Sequence, residues 1–95
     1  MKIDKIIKHG MNFSVDITEA EDFAIESFQT ELFTFGYKWR SGGDNVKPVL
    51  KLTTDHKNYY RDPNIKYIVF QNKLMDYADL PIYDNLIYKM DKIEF

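Results

Sequence analysis

Two histidines, His9 and His56, are the first residues to weigh for chemistry, because imidazole is both the commonest metal ligand and the side chain that titrates near neutral pH. Neither has a histidine or carboxylate three or four residues away, the spacing a helical metal site would need. The chain contains no cysteine, which removes disulfides, thiolate metal sites and cysteine nucleophiles together and fits a reducing cytoplasm. Asp55-His56 reads as two neighbouring loop residues, and Ser14, Ser27 and Ser41 lie in no nucleophile elbow. Ser41-Gly42-Gly43-Asp44 could present backbone amides to an anion, but a phosphate loop needs GxxxxGK[ST] running into a helix, and here Pro48 follows. A turn is the simpler reading of that stretch. No catalytic residue, metal ligand or cofactor site is assigned, and the expectation is a protein that is not an enzyme.

The pattern that carries a functional signal is a mixture of aromatic and basic residues in the middle of the chain. Residues 1–37 hold three Lys against seven acids, residues 38–73 eight Lys or Arg against three, and residues 74–95 two against five, all within a formal net charge of −2. Lys38, Arg40, Lys51, Lys57, Arg61 and Lys66 alternate with Tyr37, Trp39, Tyr59, Tyr60 and Tyr67. Such a mixture neutralises phosphates and stacks bases. The same residues also suit a protein contact, where aromatics and Arg are the usual energetic anchors. A third reading needs no ligand: a sheet with its aromatics against a helix and its cations in water gives the same alternation. The acidic ends suggest carboxylate mimicry of DNA, but mimics of that kind are far more acidic than this chain.

These residues need elements to hold them. Ninety-five residues make one domain, and 44% hydrophobic with 16% aromatic content argues for a packed core. Met11, Phe13, Val15 and Ile17 alternate with Asn12, Ser14 and Asp16, a half-buried strand. Gly10 marks a turn or bulge between this strand and Ile3, Ile6 and Ile7, which suit a short edge strand or an ordered tail. Thr18 with Glu21 reads as a capping box opening a helix whose core stripe is Ala20, Ala24, Phe28 and Leu32, widened by Ile25 and Phe35. Gly36 ends that helix in a left-handed conformation and folds Tyr37 back toward Leu32.

Tyr37–Arg40 then alternates as a strand, Val49–Thr53 begins another after Pro48, and Tyr59-Tyr60 reads as paired strand. Asp62-Pro63-Asn64 is a type I turn leading into Ile65–Phe70, apolar on both faces and so central in the sheet. Pro81 to about Met90 has helical spacing, although Leu86–Phe95 also alternates as a strand would. The expected architecture is α+β over residues 1–95: one main helix packed on a mostly antiparallel sheet of about four strands, with a possible short C-terminal helix. No run of roughly 18 apolar residues is present, and the N-terminus lacks a signal-peptide pattern. The expectation is a cytoplasmic protein with no membrane partner.

The run FTFGYKWRSGG, Phe33 to Gly43, resembles small accessory proteins of bacteriophages, in which a helix ending in glycine leads to an aromatic-x-Trp segment, a glycine turn and Tyr-rich strands. Leu32, Gly36, Tyr37, Trp39, Gly42, Tyr59 and Tyr60 carry the likeness, which covers about half the chain. It implies a non-enzymatic viral protein that binds a host factor, in the host cytoplasm, to block a defence or redirect host machinery. The candidate binding residues are Tyr37, Lys38, Trp39, Arg40, Tyr59, Tyr60 and Arg61, with a host protein as the expected partner. Nucleic acid or a nucleotide phosphate is the alternative, and exposed aromatics on a small domain favour self-association into a homo-oligomer.

Overall fold

The alternation at Phe13, Val15 and Ile17 does produce a strand, β1 (Phe13–Asp16), and the three side chains are fully buried. The computed structural model describes residues 12–81 and 87–90. Met11, the N-terminal Ile3, Ile6 and Ile7, and the extended end Lys92–Phe95 lie outside the described residues. After β1 come α1 (Asp22–Thr34), β2 (Lys38–Trp39), β3 (Leu50–Leu52), β4 (Tyr59–Arg61), β5 (Tyr67–Gln71), β6 (Leu74–Ala78) and β7 (Ile87–Lys89). Five strands form one mixed sheet in the order β2-β6-β5-β1-β7, and β3 with β4 forms a separate two-stranded sheet. The architecture is α+β as expected, with more strands than about four.

The apolar run at Ile65–Phe70 supplies the central strand. β5 pairs antiparallel with β1 on one side and with β6 on the other, so Ile68 and Phe70 face the helix while Tyr67 and Val69 face away. Phe70 is the centre of an aromatic cluster: Phe13 stacks on it at 4.3 Å, and Phe28 and Tyr37 meet it edge-on at 6.2 and 5.6 Å. Each such pair adds about 0.5–1.5 kcal/mol beyond the burial of its area. Ser14, expected on the polar face of β1, is buried, and its hydroxyl has no hydrogen-bond partner among the described residues.

The helix begins later than the capping box predicts. Ile17 N–H still bonds Lys66 O in sheet fashion, and the Thr18 amide donates to Asp16 Oδ1 at 2.9 Å, so the chain turns through Ala20 before it can coil. Glu21 becomes the N-cap, and no side chain caps the first turn. The buried face of α1 is Ile25, Phe28, Gln29 and Leu32; Phe35 lies outside the stripe and is exposed. At the other end the glycine stop forms as expected. Gly36 has φ +87°, its N–H donates to Phe33 O at 3.1 Å, and Tyr37 N–H donates to Leu32 O at 3.1 Å. These two bonds satisfy carbonyls that the helix end leaves open and bring Tyr37 back over Leu32.

Two elements depart from the sequence expectation near the C-terminus. Leu74–Ala78 is a strand, β6, joined to β5 by a two-residue turn with Asn72 left-handed at φ 58°. It offers its far edge to β2, which pairs with it in parallel through Lys38 N–H to Lys73 O and Arg40 N–H to Met75 O. Residues 87–89 are strand β7, parallel to β1, where a helix to Met90 is expected. The free edge of β1 supplies hydrogen bonds, and strand geometry there turns Tyr88 into the core and leaves Ile87 and Lys89 outside. Residues 82–86 of the expected helix lie outside the described residues.

Candidate interaction surface

The seven residues singled out in the sequence do not form one surface. Tyr37 and Trp39 are 1% and 2% exposed, which corrects the expectation that they are exposed aromatics. The glycine turn delivers Tyr37 onto Phe70, and burial pushes its phenol above the ordinary tyrosine range. Trp39 is in register with Met75 on the helix-facing side of the sheet, packs on Tyr77 at 4.9 Å, and donates its indole N–H to Asn45 O at 2.8 Å.

Around Trp39 the loop from Ser41 to Val49 is tied down. Trp39 N–H bonds Gly43 O and Gly42 N–H bonds Trp39 O, so the glycine stretch is a turn that closes on its own strand. Gly42 and Gly43 have φ of 107° and 93°, values that an L side chain would strain. Lys47 lays its ammonium 5.3 Å from the Trp39 ring centroid and bonds Ser41 Oγ at 2.7 Å. Beneath it, buried Gln29 bonds both the N–H and the C=O of Lys47, and the Tyr77 hydroxyl joins the same group. Desolvation raises the Tyr77 pKa far above that of a free phenol.

The cations divide. Lys38 and Arg40 lie on the sheet face turned away from the helix, where Arg40 pairs with Asp76 at 3.3 Å and donates to Gln71. Arg61 turns inward: its guanidinium donates to Ile17 O at 2.7 Å, to Ala20 O at 3.0 Å and to Asp22 Oδ1 at 2.8 Å. It is a structural clamp that fixes the base of β4 to the start of α1. Lys73 likewise donates to Phe35 O at the helix end. Arg40, Lys47, Arg61 and Lys73 of the basic middle are thus each engaged with different partners within the chain.

What stays open is the ribbon of β3 and β4. Tyr59 is 67% and Tyr60 42% exposed, and Leu50 and Leu52, which the sequence reading did not single out, are 39% and 41% exposed. Register places Leu50 opposite Arg61, Lys51 opposite Tyr60 and Leu52 opposite Tyr59. Leu50, Leu52 and Tyr59 therefore share one face with Arg61, and Lys51 and Tyr60 lie on the other. Pro48 and Pro63 bracket this segment, and their missing N–H groups are the sequence signal that it stands apart from the main sheet.

At the ribbon tip Thr53 N–H bonds Asn58 O, and His56 takes a left-handed conformation. Asp55 accepts from the Thr53 hydroxyl and the Lys57 amide, which hold its carboxyl below the usual aspartate range. The Asp55 carboxylate is thus turned to the tip's own hydrogen bonds and does not orient His56. Among the described residues no three His, Asp or Glu converge as metal ligands, no cavity is formed, and no helix is long and apolar enough to cross a membrane. His9 lies outside the described residues. No family model, curated protein or solved structure matches the chain.

Proposed function

We propose that the protein acts by binding, without chemistry of its own, and that the β3–β4 ribbon is its contact surface for a partner protein. The observation that carries this reading is the apolar face of Leu50, Leu52 and Tyr59, held in water on a segment that packs little against the main sheet. Tyr59 is of a residue type enriched among interface anchors, and Leu50 and Leu52 beside it add apolar area that contact would remove from water. Arg61 fixes the base of the hairpin, so little ordering entropy is lost on contact. The bacteriophage accessory proteins that residues 33–43 resemble make a host protein the partner class, with occlusion or sequestration of that protein as the mechanism.

A nucleic-acid reading would use Lys51, Lys57, Tyr59 and Tyr60 of the same ribbon. Engagement of Arg40, Arg61 and Lys73 within the chain weakens it, because phosphate binding needs cations free to displace counterions. The test is capture from host lysate by the wild-type protein and by a Leu52→Ala/Tyr59→Ala variant with an unchanged unfolding midpoint. One protein held by the wild type through nuclease treatment and moderate salt, and lost by the variant, is the expected result. Capture that persists in the variant overturns the ribbon as the contact, and nucleic acid that elutes with salt selects the other reading.

A further inference from the structure

The two edges of the ribbon differ, and the difference decides what a second copy of the chain can do there. The bonds from Thr53 N–H to Asn58 O and from Asp62 N–H to Val49 O flank the ribbon. Alternation of an antiparallel ladder then makes Lys51 and Tyr60 the hydrogen-bonded pair between them. The backbone N–H and C=O groups of Leu50 and Leu52 point out from the β3 edge, and those of Tyr59 and Arg61 from the β4 edge. Among the described residues neither edge is paired with another strand, and no backbone hydrogen bond from outside the ribbon reaches these groups.

An antiparallel self-pairing of β3 is centred on Lys51 and sets two ammonium stems side by side at the closest cross-strand spacing, which like charges oppose. A self-pairing of β4 is centred on Tyr60. It places Tyr59 opposite Arg61 of the second copy twice over, so the outward groups of both residues are matched by hydrogen bonds in each direction. The two Tyr60 rings become neighbours on one face, and each Tyr59 ring packs on the aliphatic stem of an Arg61 on the other. Pro63 has no N–H with which to continue the ladder, so the pairing stops there.

We propose that two copies of the chain associate through β4 about a two-fold axis at Tyr60, giving a four-stranded sheet in the order β3-β4-β4-β3. A two-stranded ribbon is marginal by itself, and two more strands supply what it lacks. The Lys51 residues then lie on both outer edges and oppose further addition, so the assembly closes as a dimer. The leucine and Tyr59 faces of both copies lie side by side, which doubles the surface offered to a partner. The interface is small, and association depends on concentration.

The absence of cysteine from the chain makes the test direct. In Tyr60→Cys the two Cα atoms would meet at a non-hydrogen-bonded pair, about 4.5 Å apart and within disulfide reach. Mild oxidation should cross-link Tyr60→Cys at least about tenfold faster than Lys51→Cys, whose thiols sit on opposite outer edges. Sedimentation velocity should show the wild type passing from monomer to dimer over an about hundredfold concentration range, and Tyr60→Lys remaining monomeric with unchanged circular dichroism. Equal cross-linking rates, a wild type monomeric throughout, or a dimer that survives Tyr60→Lys would each overturn the proposal. It does not rest on the partner reading: a monomer that still captures its partner removes only the dimer, and a dimer that captures nothing removes only the partner.

Discussion

The side-chain amide of Gln29 grips the backbone of Lys47 at both ends, with Nε2 donating to Lys47 O at 3.0 Å and Oε1 accepting from Lys47 N–H at 2.8 Å. One residue of the helix thereby acts as a strand would, and the loop that shields Trp39 is fastened to the core. Gln29→Leu keeps the volume and leaves the Lys47 amide and carbonyl without these bonds. A loss of about 2–4 kcal/mol is expected, read from the urea unfolding midpoint at constant slope.

Trp39 is the chain's single tryptophan, so its burial is visible in solution. Its emission should be blue-shifted and poorly quenched by acrylamide in the native protein, and should move red on unfolding. Trp39→Ala should cost about 3–5 kcal/mol through the cavity it leaves. Red-shifted, readily quenched native emission would contradict the buried position.

Gly36 sits at φ +87°, and a Cβ there would approach the Lys73 side chain at 3.5 Å, which is ordinary contact. The cost of Gly36→Ala is therefore conformational, about 1–2 kcal/mol, and should appear in thermal unfolding without loss of the native circular dichroism.

Arg61→Lys keeps the charge but cannot reach Ile17 O, Ala20 O and Asp22 with one planar fork. Amide hydrogen exchange across residues 50–61 should quicken relative to the core strands, while exchange at β1 and β5 stays slow. Unchanged protection of the ribbon would show that something other than Arg61 sets its position.

Burial raises Tyr77 far above the ordinary tyrosine range and raises Tyr37 and Tyr88 in the same direction. A raised native pKa means the folded chain keeps protons that the unfolded chain releases. Stability from these groups is complete below about pH 10 and falls as pH rises beyond it. Unfolding midpoints measured from neutral to strongly alkaline pH should decline in that window, and Tyr77→Phe should flatten part of the decline. The Asp55 shift has the opposite sense. Its carboxyl is held below the ordinary range, so the tip contacts with Thr53 and Lys57 persist above that range and loosen as acid protonates it, a change that NMR of the Asp55 carboxyl can follow.

Local rules were sufficient where a single segment satisfies itself. The alternation of Phe13, Val15 and Ile17, the two-faced apolar run of β5, the Asp62–Asn64 turn and the Gly36 stop are written in neighbouring residues, because their periodicity and dihedral needs are local. The start of α1, the strands β6 and β7 and the division into two sheets were not, because each depends on an edge or carbonyl supplied by a distant segment. Ile17 stays in the sheet because Lys66 accepts its N–H, and residues 87–89 extend because β1 has a free side. For the candidate site the sequence alone determined that aromatic and basic residues are concentrated between residues 37 and 67. Tertiary structure decided which of them water reaches: pairing of Trp39 with Met75 and of Arg61 with Ile17 and Asp22 draws those side chains inward, while Tyr59 and Tyr60 stay outside on β4, which among the described residues pairs with β3 alone.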